Sequence, residues 1–121
     1  MSGPRDRRAL ELLGLARRAG AVVVGTQAVR DATRRGRLGV VVIARDAGEN
    51  ARARVLPLVE AAGGAWVECG TAASLGGALG RGRTVVAGVE DRRLARRVRD
   101  LAAPDAGEVE RRNDERRERR D

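Results

Sequence analysis

The sequence predicts a single α/β domain, with helices on both faces of a small sheet of four strands. Three observations lead there. Short apolar runs rich in valine recur along the chain as AVVV, VVVIA, AWVEC and TVVAGV. Between them lie stretches with apolar residues at spacings of three and four, and glycine stands at most of the boundaries. A length of 121 residues allows one hydrophobic core and no second domain of comparable size.

Residues 4–19 place Ala9, Leu10, Leu12, Leu13, Leu15 and Ala16 on one broad apolar face, with Arg7, Arg8, Arg17 and Arg18 outside it and Gly20 as the stop. This is the first helix. Residues 21–24 are mostly β-branched and bounded by glycine, which predicts a short buried strand. Thr26 is expected to cap a second helix that reaches about Arg35 and ends at Gly36. Residues 40–44 form the second strand, whose unbroken apolar run requires cover on both faces. Residues 46–62 are helical in character, with Pro57 predicting a kink or a fresh turn near Leu56. Residues 65–69 make the third strand, Thr71 precedes a helix of small residues ending near Gly80, and residues 84–89 make the fourth strand. A last helix over 91–101 carries Leu94, Val98 and Leu101 inward. The domain thus spans residues 5–102. The remaining 103–121 offer one branched apolar residue, Val109, among six arginines and seven acids, too little to bury a core face. That tail is expected to be disordered.

All 25 basic residues are arginine, against 17 acids, for a net charge of +8. The charged tail is close to balanced, so the excess lies in the domain itself, which points to a polyanionic partner. Histidine, tyrosine and phenylalanine are absent. Histidine is the usual general base near neutral pH, and nucleophilic triads need a base beside the nucleophile, so no enzyme of those kinds is expected, and no cofactor, metal or small-molecule substrate. A single tryptophan, Trp66, argues against a module that stacks several bases on aromatic rings. Any RNA would be held by shape, backbone and arginine. Cys69 is the one cysteine and has no partner, which with the lack of a secretory leader sets the expected location in the reducing cytoplasm. The apolar runs are far shorter than a membrane span requires, and no membrane partner is expected.

Some local patterns admit two readings. GALGRGRT, residues 77–84, is one substitution from the nucleotide-binding pattern GxxxxGK[ST], but that pattern needs strand, loop, helix. Here the order is helix, loop, strand, and Arg83 replaces the lysine. The segment reads either as a Gly-Arg loop open to a polyanion or as an ordinary connection. Glu90 and Asp91 read as favourable charge at the start of the last helix rather than as a catalytic pair. Cys69, at the end of an apolar strand, reads as a buried structural thiol. On the helix after Gly25, Arg30, Arg34 and Arg37 follow spacings of four and three, and Asp31 is placed to pair with Arg35. The same helix start offers free amides and a positive dipole end to a phosphate. A solvated face with one ion pair is the competing reading.

LLGLARRAG (residues 12–20), GTQAVRDATRRGRLGVVVIARDA (residues 25–47), Leu56-Pro57, Leu75-Gly76 and Gly80-Arg81-Gly82-Arg83 occur in one colinear order. In that order the chain resembles the ribosomal kink-turn-binding superfamily, and within it the bacterial YlxQ-like branch. The resemblance spans roughly residues 9–101. It implies a three-layer α/β/α sandwich with a small four-stranded mixed sheet, and a non-enzymatic protein that binds kink-turn-like structured RNA. Ribosomal RNA is the foremost implied partner, with ribosomal or RNA-processing proteins beside it. In the family the helix after the glycine reads sheared G·A pairs through Asn, Glu and Lys, and a later loop packs on a flipped-out nucleotide. Here Gly25 and Arg35 match, whereas Gln27, Ala28 and Asp31 stand at the Asn, Glu and Lys positions. In the second loop Arg83 matches an arginine and Val86 an apolar residue. The implied RNA face is Gly25, Thr26, Gln27, Arg30, Arg34 and Arg35 with Arg81, Gly82 and Arg83, and its departures imply relaxed or altered specificity. A protein-interaction adaptor on the same fold is the alternative function.

Overall fold

A computed structural model describes residues 4–102, so the tail over 103–121, expected to be disordered, lies outside the described residues. The element order is α1 (Pro4–Arg18), β1 (Val22–Val24), α2 (Thr26–Arg34), β2 (Val40–Ile43), α3 (Glu49–Ala61), β3 (Trp66–Glu68), α4 (Ala72–Ala78), β4 (Val86–Val89) and α5 (Arg92–Ala102). The four strands lie in the order β1-β4-β2-β3. β4 is antiparallel to both neighbours, with Val22 opposite Val89 on one side and Val40 opposite Val89 on the other. β2 and β3 are parallel, with Val41 opposite Trp66. The sheet is therefore mixed, as the resemblance implied.

Side chains alternate across the strands and divide the core in two. Val40, Val42, Ala87 and Val89 pack under α1, α4 and α5, together with Leu13, Leu75 and Val98. Val41 and Val86 pack on the opposite face with Val29 of α2 and Val55 and Val59 of α3. Every residue of β2 and β4 is buried, because both faces are covered. This is the three-layer sandwich. No helix among the described residues is long and apolar enough to cross a membrane.

Three local expectations are corrected. Thr26 is the first residue of α2, and Gly25 is its N-cap. Gly25 sits at φ 100° and ψ 158°, a region open essentially to glycine alone, and this lets its amide bond Val86 of β4 while its carbonyl takes the Val29 amide. The helix starts one residue early as a result. Pro57 does not divide α3, which runs unbroken from Glu49 to Ala61. Pro57 and Ala53, whose carbonyl loses its partner, are both exposed, so water can satisfy the freed group. Asp31 pairs with Arg34 at 3.6 Å and not with Arg35, because α2 ends at Arg34 and Arg35 has become the C-cap.

Strands β1, β2 and β3 point one way and β4 returns. The ends of β1–β3 and the start of β4 thus meet at one rim of the sheet, the exit rim. Their starts, and the end of β4, meet at the opposite rim, the entry rim.

Candidate nucleic-acid interface

The exit rim gathers the starts of α2, α3 and α4 with the loop that leads into β4. Between the first of these and that loop lies an open cleft of about 530 Å³, lined by Val24, Gly25, Thr26, Arg81, Gly82, Arg83, Thr84 and Val85. Five of the nine residues expected at an RNA face meet here, brought together from two segments more than fifty positions apart. On one wall, α2 has no side-chain cap, and its hydrogen-bond ladder begins with the Val29 amide. The amides of Thr26, Gln27 and Ala28 are the orphan donors of the first turn, at the positive end of the helix dipole.

The other wall is a loop fixed by backbone contacts. Arg81 N donates to Gly76 O at 2.8 Å and Gly80 N to Gly77 O at 3.2 Å, closing the end of α4. Thr84 N donates to Ala72 O at 3.0 Å, and Thr84 Oγ1 to Gly82 O at 3.0 Å. A Cβ on Gly76 would stand 2.0 Å from Gly82 O, so only glycine lets the loop lie this close to the helix. Arg81, Gly82 and Arg83 are exposed. Arg83 lies 3.8 Å from the Asp46 carboxylate, with its own side chain 71% exposed. A pair this wet and long is weak and leaves the guanidinium open to another anion. Val86, the apolar match of the resemblance, is fully buried in the α2–α3 core, and Val85 lines the cleft in its place.

The remaining expected residues lie elsewhere. Gln27 follows the cleft directly but donates to Asp31 at 2.9 Å and accepts from Arg54 at 3.5 Å. Arg30 donates to the Arg54 carbonyl, so it binds α2 to α3. Arg34 and Arg35 stand at the far end of α2, about 13 Å along the axis from Gly25 at 1.5 Å per residue. Arg30, Arg34 and Arg37 accordingly form no single row: one is bonded to α3, one to Asp31, and Arg37 lies beyond the helix.

The sequence reading missed a polar cluster beside the cleft. Asp6, in the first turn of α1, is 4% exposed. It accepts two bonds from Arg45, at 3.1 and 2.9 Å, and a third from the Gly70 amide at 3.1 Å. Burial alone would raise this carboxyl, but the Arg45 guanidinium and the Gly70 amide outweigh it and hold it below its ordinary value. The bond from Asp6 in turn raises Arg45. Cys69 is fully buried, its thiol directed at the Asp6 carbonyl, and burial with the nearby Asp6 charge pushes it up to about 12. That is the inert structural thiol expected. Asp46 accepts the Ala72 amide at 2.7 Å, and Arg52 bridges the Ala44, Arg45 and Ala47 carbonyls to Glu68. Among the described residues no group of three or more His, Cys, Asp and Glu could hold a metal.

No protein-family model matches the chain, and no curated protein does. Among solved structures it is similar to a protein of unknown function from Bacillus halodurans, at 30% identity over 79% of this chain and 97% of that one, with a TM-score of 0.76. It is also similar to the 15.5kD RNA binding protein of Giardia lamblia, at 23% identity over 91% of each chain, with a TM-score of 0.72. The second likeness is one of fold.

Proposed function

We propose, from the premise that the chain belongs to the same family as the Bacillus halodurans protein, that it is a non-enzymatic, cytoplasmic RNA-binding protein whose site is the exit-rim cleft. The observation that carries this is the meeting of the uncapped start of α2 with Arg81-Gly82-Arg83 across one open cleft. Orphan amides and guanidiniums facing a common space suit a phosphate and leave the glycines free for close backbone approach. The RNA-binding protein of the same fold supports RNA as the polyanion.

Residues 5–102 are the RNA-binding unit, of the kink-turn-binding type and its YlxQ-like branch, and the target is a bent, kink-turn-like element of ribosomal RNA. Three features alter its specificity. Ala28 offers no side-chain acceptor, Gln27 is engaged by Asp31 and Arg54, and Asp31 puts a carboxylate near the backbone of any RNA seated on α2. Binding then rests on charge and loop shape more than on base contacts.

Fluorescence anisotropy with a kink-turn RNA and a plain RNA duplex of equal length tests this. Tighter binding of the kink-turn is expected, with affinity falling steeply as salt rises. Arg81→Ala with Arg83→Ala should weaken it about tenfold. Equal affinity for the two RNAs would remove the claim of shape recognition, and no RNA binding at low salt, with a protein partner recovered, would favour the adaptor.

A further inference from the structure

The second concentration of charge lies at the entry rim, away from the cleft. Gly39 N donates to Val89 O at 2.8 Å, and a Cβ on Gly39 would stand 2.5 Å from Ala95 Cβ and 3.5 Å from Arg92 Cα. This close approach sets the α2–β2 connection against the first turn of α5. Arg35 and Arg37 on the connection and Arg92, Arg93 and Arg96 on α5 therefore belong to two segments in contact. All five are exposed, and none makes a side-chain hydrogen bond or ion pair among the described residues. Two carboxylates, Glu90 and Asp91, lead into α5, and Asp91 caps it by accepting from the Leu94 amide at 2.9 Å.

The cleft is less cationic than this corner. At the exit rim Arg45 and Arg52 are paired with Asp6 and Glu68, Arg83 only loosely with Asp46, and the Arg81 side chain is open. The α2–β2 connection and α5 carry no exposed large apolar side chain, the one such residue among those described being Leu15 in the last turn of α1. This surface lacks the apolar centre of a protein–protein interface and has the forked donors that suit phosphates.

We infer that the entry-rim arginines form a second, sequence-independent surface for the phosphate backbone of an RNA duplex, so that the protein holds two RNA segments at once. The inference takes only the class of polyanion from the proposed function. The two surfaces are separated by the length of α2, about 13 Å of helix, enough for separate segments to approach opposite rims.

The test uses the full chain, a donor-labelled kink-turn RNA and an acceptor-labelled plain 20-base-pair RNA duplex. Wild-type protein should bring the labels together, and Arg37→Ala, Arg92→Ala and Arg96→Ala combined should abolish the transfer. The same variant should lower duplex affinity at least tenfold and make the slope of log K against log salt shallower by about two to three, while leaving kink-turn affinity at the cleft largely intact. Lysine at the same three positions should restore duplex binding, which a folding defect would not allow. Unchanged duplex affinity and slope in the alanine variant would overturn the inference, as would equally tight binding of polyglutamate. Energy transfer without kink-turn preference would leave this surface standing and remove the cleft reading instead.

Discussion

The two halves of the exit rim are built from the same parts and finished differently. Where β2 and β3 end, the side chains are mostly engaged, although α3 also starts without a side-chain cap: Asp6 is held by Arg45 and Gly70, the Ala72 amide by Asp46, and the start of α4 by Thr71 and Ser74 in a reciprocal capping box. Where β1 ends and β4 begins, α2 has no side-chain cap and the Arg81 side chain has no partner among the described residues. One half spends its polar groups on the fold. The other leaves more of them open, its shape held mainly by backbone contacts of Gly25 and Gly76 with the Thr84 hydroxyl on Gly82.

The largest break in this contrast comes from Asp6. Asp6→Ala leaves the Gly70 amide and part of Arg45 without an acceptor in a buried setting, and should cost about 3 kcal/mol in urea denaturation. Because the folded carboxyl lies below its unfolded value, its contribution is complete above about pH 5 and is lost as pH falls through the unfolded carboxylate value and then the folded one. Asp6→Asn should flatten that part of the stability profile below about pH 5.

Gly76→Ala comes next. A methyl group 2.0 Å from Gly82 O must displace the 81–83 loop, at a cost of about 2 kcal/mol by thermal melting, and RNA affinity should fall with it. A smaller difference compares one substitution in two helices. Thr71→Ala removes a cap and should cost about 1 kcal/mol, while Thr26→Ala, which caps nothing, should stay within about 0.5 kcal/mol. Equal losses at the two threonines would show that the two halves are not finished differently. Smallest is Arg83→Ala, expected within about 0.5 kcal/mol in stability because its pair with Asp46 is long and exposed, yet measurable in RNA anisotropy.

These contrasts follow how far apart the interacting residues lie in sequence. Valine runs and helix-ending glycines are local signals, so the element order and the two-sided cover of β2 could be read directly. Gly25 and Arg81-Gly82-Arg83 are joined in one face by the resemblance alone, because their meeting in one cleft depends on β4 pairing with β1. Asp6 carried no signal of its own, since an acid in a first turn is ordinary for a helix, and its partners lie 39 and 64 positions away. Helical spacing gives Arg34 a face but not its distance along the helix, and Arg35 enters the implied RNA face only through the resemblance.

The outer strands of the sheet also matter for self-association. β1 and β3 are three residues each, and their short open edges offer few backbone groups to an incoming strand. A valine-rich sheet with longer borders would invite another chain to add on. Here a concentrated solution should resist growth through edge-to-edge strand pairing.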